Sequence, residues 1–193
     1  MHEMKLSFRS IYRAVRAGAF PGVKPETHFR RRNKPYASTK KSYTRYFDSS
    51  IHDRDPIIDL RGRFGDFEGD TLYGSVGKGY LVAGVERRSR LLIAAIAKDK
   101  TIESTNAALL AAFRRTEGIK PLTLTLDNGT EFLGFKELER ALGIKVYFAD
   151  PHAPWQRGSS ENINGLIRFF FPKGTDFTKV TDEQLNSVVD LIN

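Results

Sequence analysis

The chain has 193 residues, 40% hydrophobic and 28% charged, with a net charge of +8 and no cysteine, enough for one buried core and an appendage. The missing cysteines exclude disulfides, thiolate zinc sites and cysteine nucleophiles. No apolar run approaches the ~20 residues that span a bilayer and the start, "MHEMKLSFRS", has no signal-peptide character, so a cytoplasmic protein is expected.

The charge is unevenly placed. Residues 1–47 hold 12 Lys/Arg and 2 Asp/Glu, a net of +10, leaving 19 basic and 21 acidic residues, a net of −2, for the rest. A basic arm on a near-neutral body suits either attachment to a polyanion such as DNA or RNA, or a solvated linker.

Residues 7–17 predict a helix with Phe8, Ile11, Tyr12 and Val15 on one stripe, Arg9, Arg13 and Arg16 off it, and Gly18 as the stop. One short helix cannot bury its stripe alone. Residues 18–60 show no sustained period. In them Tyr36, Tyr43, Tyr46 and Phe47 interleave with basic residues including Arg30, Arg31, Arg32, Lys40 and Lys41, the pattern of a segment that tracks nucleic acid, or of a linker with docked aromatics.

From residue 63 the pattern changes. "RFGDFEGDTLYG", "GYLVAGVERRS" and "RLLIAAIAKD" predict three strands joined by tight turns, with the arginines of "RRSR" solvated. Thr101 caps an amphipathic helix stopped by Gly118. "PLTLTLD" is a strand, "GFKELERALG" a helix and "KVYFAD" a strand. "PHAPWQRGSS" is a Pro-rich loop, and Ser159 or Ser160 caps the helix "ENINGLIRFFF". A final helix spans "TDEQLNSVVDLIN". The order βββαβαβα predicts an α/β fold: an RNase H-like mixed five-stranded sheet flanked by helices, behind a largely irregular basic arm.

Three carboxylates, Asp70, Asp127 and Glu161, stand out in this frame. Asp66, Glu68 and Asp70 alternate on one strand and share a face, which must meet solvent or a metal, since a buried unpaired acid is costly. Asp127 ends "LTLTLD", where ligands bind in open sheets, although "DNG" is also turn chemistry. Glu131 is a poorer candidate at the same edge. Glu161 opens a helix, where the dipole favours an acid without any metal. On that helix Glu161, Asn164, Gly165 and Arg168 cluster, opposite a core stripe of Ile163, Leu166, Ile167 and Phe170. Three acids brought together raise each other's pKa unless a cation neutralises them, and an all-oxygen site suits Mg²⁺ or Mn²⁺. The loop before Glu161 offers Gln156 and Arg157 to a phosphate backbone, while Trp155 either anchors the loop or meets a base. His152 is a metal neighbour or an ordinary surface residue.

The blocks "FEGD", "TLDNGTEF" and "VYFADPHAPWQRGSSENINGLIRFFFPKGTDF" together resemble the catalytic core of bacterial insertion-sequence transposases of the IS-thirty type, relatives of retroviral integrases. The resemblance covers roughly residues 60–193; the family has Trp where this chain has Phe67. It implies DNA transposition and integration by a DDE triad of Asp70, Asp127 and Glu161, which would bind two Mg²⁺ or Mn²⁺ ions. It also implies DNA contacts by Gln156, Arg157, Asn164, Arg168 and the arm residues Arg30, Arg31, Arg32, Lys40 and Lys41. The implied partners are element ends and target DNA, with homo-oligomers assembling on DNA at the nucleoid. The implied domains are a remnant helix of a helix-turn-helix unit at 1–18, a basic linker at 19–60 and a core at 61–193 shortened at its C-terminal end. An alternative is a catalytically idle remnant that binds DNA non-specifically. A third reading, a nuclease acting on RNA–DNA hybrids, fits the fold but not the "PWQRGSSEN" loop.

Overall fold

A computed structural model of the chain describes residues 7–29, 49–116 and 118–193, with Glu161 described by its backbone alone. The chain divides into two compact units, Met1–Ser42 and Tyr43–Asn193. In the first, helix α1 (Phe8–Arg16) starts where Ser7 Oγ accepts a hydrogen bond from the Ser10 N–H. Its expected stripe is mostly open: Phe8, Ile11 and Tyr12 are exposed, and Val15 is buried. The Tyr12 ring lies 4.4 Å from that of Phe29, which follows the short helix α2 (Pro25–His28).

The second unit is built on one mixed sheet. Its strands are β1 (Asp66–Tyr73), β2 (Tyr80–Glu86), β3 (Leu92–Ala97), β4 (Thr123–Leu126) and β5 (Lys145–Phe148), in the order β3-β2-β1-β4-β5. The first three pair antiparallel, and β4 and β5 add parallel beside β1. Helices α4 (Ile102–Phe113) and α5 (Phe135–Leu142) cover one face, and α6 (Gly158–Phe170) and α7 (Asp182–Ile192) cover the other. Every residue of β2 is therefore buried, as a central strand covered on both sides requires. Phe67, Tyr80, Val82, Leu124 and Val146 meet Leu109, Phe113 and Leu138 in one core. Leu72, Leu81, Ala83 and Val85 meet Ile163, Ile167, Leu185 and Val189 in the other.

Thr101 caps α4 as expected, its Oγ1 accepting from the Ser104 N–H. The helix, however, ends at Phe113, before the turn that leads to Gly118. Gly143 ends α5 in the left-handed conformation, φ +66°, which glycine adopts without a Cβ penalty. On α6 the expected core stripe is half met: Ile163 and Ile167 are buried, Leu166 and Phe170 are exposed, and Phe171, just past the helix, is buried instead. The stretch 49–60, expected as the end of a linker, belongs to this body. Ser50 bridges to Phe148, a 3₁₀ turn runs over Ile51–Asp53, helix α3 spans Pro56–Asp59, and Ile51 and Ile58 are buried.

Candidate active site

The sheet brings two acids together at the place where β1 and β4 run side by side. Asp70 lies on β1, and Asp127 is the first residue after β4. Between them stands a cation of the chain itself. Arg157 Nη1 lies 3.4 Å from Asp70 Oδ1, and Nη2 lies 3.4 Å from Asp127 Oδ2. Nη1 also donates to the Gly69 carbonyl at 3.0 Å. Glycine suits position 69, since an added Cβ would come within 2.6 Å of Leu126.

Each carboxylate has a second, neutral partner. Asn164 Nδ2, on α6, donates to Asp70 Oδ2 at 2.6 Å, and the Thr71 N–H donates to Oδ1 at 2.9 Å. The Gly129 N–H donates to Asp127 Oδ1 at 3.0 Å, so turn chemistry and ligand geometry coexist at this residue. Burial pushes the Asp127 carboxyl above its ordinary range, Arg157 and the Gly129 N–H pull it back, and the nearby Asp70 and Glu131 add to the rise. A cleft of about 440 Å³ opens beside it, lined by Asp127, Asn128, Asp150, His152, Pro154 and Arg157 among others. His152 takes a positive φ of 62° at this rim.

The other acids of β1 face neither solvent nor a metal position. Asp66 is fully buried and accepts from Arg63 Nε at 3.0 Å and Thr123 Oγ1 at 2.7 Å. Glu68, 1% exposed, accepts from Arg87 Nη1 at 2.6 Å and from the Ser159 and Ser160 N–H groups at 2.8 and 3.1 Å. This explains why neither serine caps α6: the helix begins at Gly158 with no side-chain cap, and a carboxylate from another element takes that place. The expectation of solvated arginines in the β2–β3 turn fails for Arg87, which is buried, and holds for Arg88 and Arg90, which are exposed, although Arg90 Nη1 also donates to Ser159 Oγ at 2.7 Å. Glu131 is engaged elsewhere too, accepting from Tyr73 Oη at 2.6 Å with Lys100 Nζ at 3.7 Å.

In the loop before α6, Trp155 does not anchor on the core and Arg157 is turned inward. Trp155 is 75% exposed. Gln156 points inward, accepting the Asp150 N–H at 2.7 Å and donating to Asp150 Oδ2 at 3.0 Å. His52 Nε2 lies 2.7 Å from the same oxygen. Arg168 bonds the Tyr73 carbonyl at 2.8 Å. Gln156, Arg157, Asn164 and Arg168 thus all have protein partners in this structure. Arg30, Arg31, Arg32, Lys40 and Lys41 lie outside the described residues. Glu161 follows Ser160 in the first turn of α6, which places its backbone on the helix that supplies Asn164. Among the described residues, no group of three or more His, Asp or Glu side chains could hold a metal ion, and no helix is long and apolar enough to cross a membrane.

Residues 64–154 match the integrase core domain family. The transposase for insertion sequence element IS1086 of Cupriavidus metallidurans is 39% identical over 144 residues, 75% of this chain and 42% of that protein. The chain belongs to the insertion-sequence transposases with an integrase core. Transposase InsI for element IS30A of Escherichia coli is 38% identical over 143 residues, 74% of this chain and 37% of that protein, in line with the IS-thirty resemblance. This integrase-core chain therefore spans about two fifths of the length of these relatives. The catalytic core domain of BIV integrase shares the fold, with a TM-score of 0.51 at 20% identity over 67% of this chain and 83% of that one.

Proposed function

We propose that this chain carries the catalytic centre of a DNA transposase, with Asp70, Asp127 and Glu161 as its acids and DNA as its substrate. The observation that carries the reading is the convergence of Asp70 and Asp127, from two strands, on one guanidinium between them. Two carboxylates that already hold a cation in common form an all-oxygen donor set that fits a hard divalent ion. When bound, Mg²⁺ or Mn²⁺, as one or two ions, would activate water and neutralise phosphate charge.

The chain's own residues do the positioning. The Gly129 N–H fixes Asp127, which lines the cleft, and Asn164 with the Thr71 N–H fixes Asp70 on the neighbouring strand. In strand cleavage a water oxygen forms a bond to phosphorus, the bond to the bridging 3′ oxygen breaks, and that oxygen leaves as a 3′-OH. In strand transfer the 3′-OH replaces water: its oxygen bonds the phosphorus of a second phosphodiester, the bond from that phosphorus to its own bridging 3′ oxygen breaks, and that oxygen leaves with the proton as a new 3′-OH. No covalent intermediate with the protein is required. The basic arm would hold the polyanion, with element ends and target DNA as partners and homo-oligomers forming on DNA.

The test is purified protein with supercoiled plasmid and Mn²⁺ or Mg²⁺. Nicking that needs the ion and is lost in Asp127→Asn is expected. Ion binding without any strand cleavage or joining would sink the enzymatic reading and leave a DNA-binding remnant.

A further inference from the structure

A buried carboxylate outside the proposed triad ties its two halves together. Glu68 is on β1, two residues before Asp70 on the same face. Its side chain crosses to the start of α6, where Oε2 accepts from both the Ser159 and Ser160 N–H groups. The next residue is Glu161. Glu68 therefore contacts the strand that carries one proposed acid and the helix turn that carries another, and its Oε1 is held by Arg87 at 2.6 Å.

Three features separate this from an ordinary buried ion pair. A single oxygen serves two successive helix donors, which fixes the direction of the first turn as well as its place. The helix has no side-chain cap of its own, so Glu68 supplies the partner its sequence lacks. A second contact stands beside it: Arg90, in the β2–β3 turn with a φ of 72°, donates to Ser159 Oγ at 2.7 Å. Arginine is unfavourable in that backbone conformation, and the contact gives it a structural use.

We infer that Glu68 is a positioning residue for the proposed metal site, with Arg90 as its second support: it sets where the first turn of α6 begins relative to Asp70. The inference rests on the proposed roles of Asp70, Asp127 and Glu161. Glu68 does not touch the ions or DNA; it acts through the Ser159 and Ser160 amides.

The experiment measures Mn²⁺ affinity by calorimetry, and amide hydrogen exchange at residues 158–161, in wild type, Asp127→Asn, Glu68→Gln and Arg90→Gly. Residues that orient metal ligands typically affect affinity by 10- to 100-fold. Glu68→Gln is expected to weaken Mn²⁺ binding about tenfold and to speed exchange at Ser159 and Ser160, while the melting of β1–β3 stays cooperative. Arg90→Gly relieves backbone strain and removes only the outer contact. It is expected to weaken binding by less than about tenfold, below the range for a residue that orients a ligand directly, without lowering thermal stability, and it keeps the test open should Glu68→Gln fail to fold. Wild-type Mn²⁺ affinity in both variants, with binding still lost in Asp127→Asn, would overturn the inference and leave the proposed site standing. Mn²⁺ binding that Asp127→Asn leaves unchanged would overturn the proposed site first, and this inference with it.

Discussion

Arg157 Nη2 lies 3.4 Å from Asp127 Oδ2 while Nη1 of the same guanidinium lies 3.4 Å from Asp70 Oδ1. Arginine is always charged, so it neutralises a pair of acids that would otherwise repel. A divalent ion that used these oxygens would have to displace it. Arg157→Ala is therefore expected to bind Mn²⁺ about three- to tenfold more tightly, the scale of a partly exposed ion pair of about 1 kcal/mol. Its metal-free form is expected to melt lower than wild type. Calorimetry with Mn²⁺ checks this; weaker binding in the variant would show that Arg157 supports the site instead of competing for it.

The Asp127 carboxyl gives a pH signature. Its ordinary value is 3.8, which applies to the unfolded chain, and burial raises it in the folded one. Ionisation therefore favours unfolding: the penalty is absent below the ordinary value and complete above the raised one. Asp127→Asn removes it. At pH 7 the variant is expected to melt above wild type, and the gap should close as the pH falls below about 3.8. Saturating Mg²⁺ should reverse the order, because an ion at 100 times its Kd stabilises by about 2.7 kcal/mol, roughly 5–11 °C at this chain length. Thermal melts across pH, with and without Mg²⁺, decide it; a wild type that melts above the variant at pH 7 without metal would contradict it.

The sheet was legible because acids at period two mark β1, apolar runs bounded by turn residues mark β2 and β3, and a capped helix separates them from β4. Asp70 and Asp127 were legible because each stands at a position the strand pattern fixes. The fate of Glu68 was not. A strand pattern tells which face a residue takes, and that face runs from buried structure at Asp66 to the open site at Asp70 within five residues. Only the arrival of α6 and of Arg87 decides which acid is structural, and both come from distant sequence. The "PWQRG" loop stayed undecided for a related reason: sequence alone leaves Trp155 either anchored or outside, and it is the two distant acids that draw Arg157 in, with Trp155 left in solvent.

That exposure makes Trp155 the loop's available contact for an unstacked base. Base–aromatic stacking is worth about 1–3 kcal/mol per base. Trp155→Ala is expected to weaken binding of a single-stranded oligonucleotide by roughly 5- to 150-fold. Stability should stay within about 0.5 kcal/mol of wild type, as for an exposed side chain. Trp155 is the single tryptophan of the chain, so its fluorescence reports directly. Quenching on titration with oligonucleotide is expected; unchanged emission at saturation would remove Trp155 from the interface.

Arg87 tests the other side of the Glu68 contact. Its side chain is 7% exposed and that of Glu68 1%. Nearby, Arg54 is also buried, bonded to Thr125 Oγ1 at 3.0 Å and to Asp59. Burial lowers the Arg54 pKa, and Glu68 is among the charges that oppose the fall. Removing Arg87 leaves Glu68 buried with two amide donors and no directly bonded counter-ion. Breaking a buried pair from one side costs about 3–5 kcal/mol, whereas replacing both members often costs little. Arg87→Met is therefore expected to lose about 3–5 kcal/mol, and the double variant Glu68→Gln/Arg87→Met to regain much of it. The regained stability should not restore the start of α6, because an amide holds the Ser159 and Ser160 N–H groups less firmly than a carboxylate. Urea midpoints measure the first effect and amide exchange at residues 158–161 the second. An Arg87→Met chain within about 1 kcal/mol of wild type would mean that the two serine amides alone hold the buried charge, well outside the cost a broken buried pair should carry.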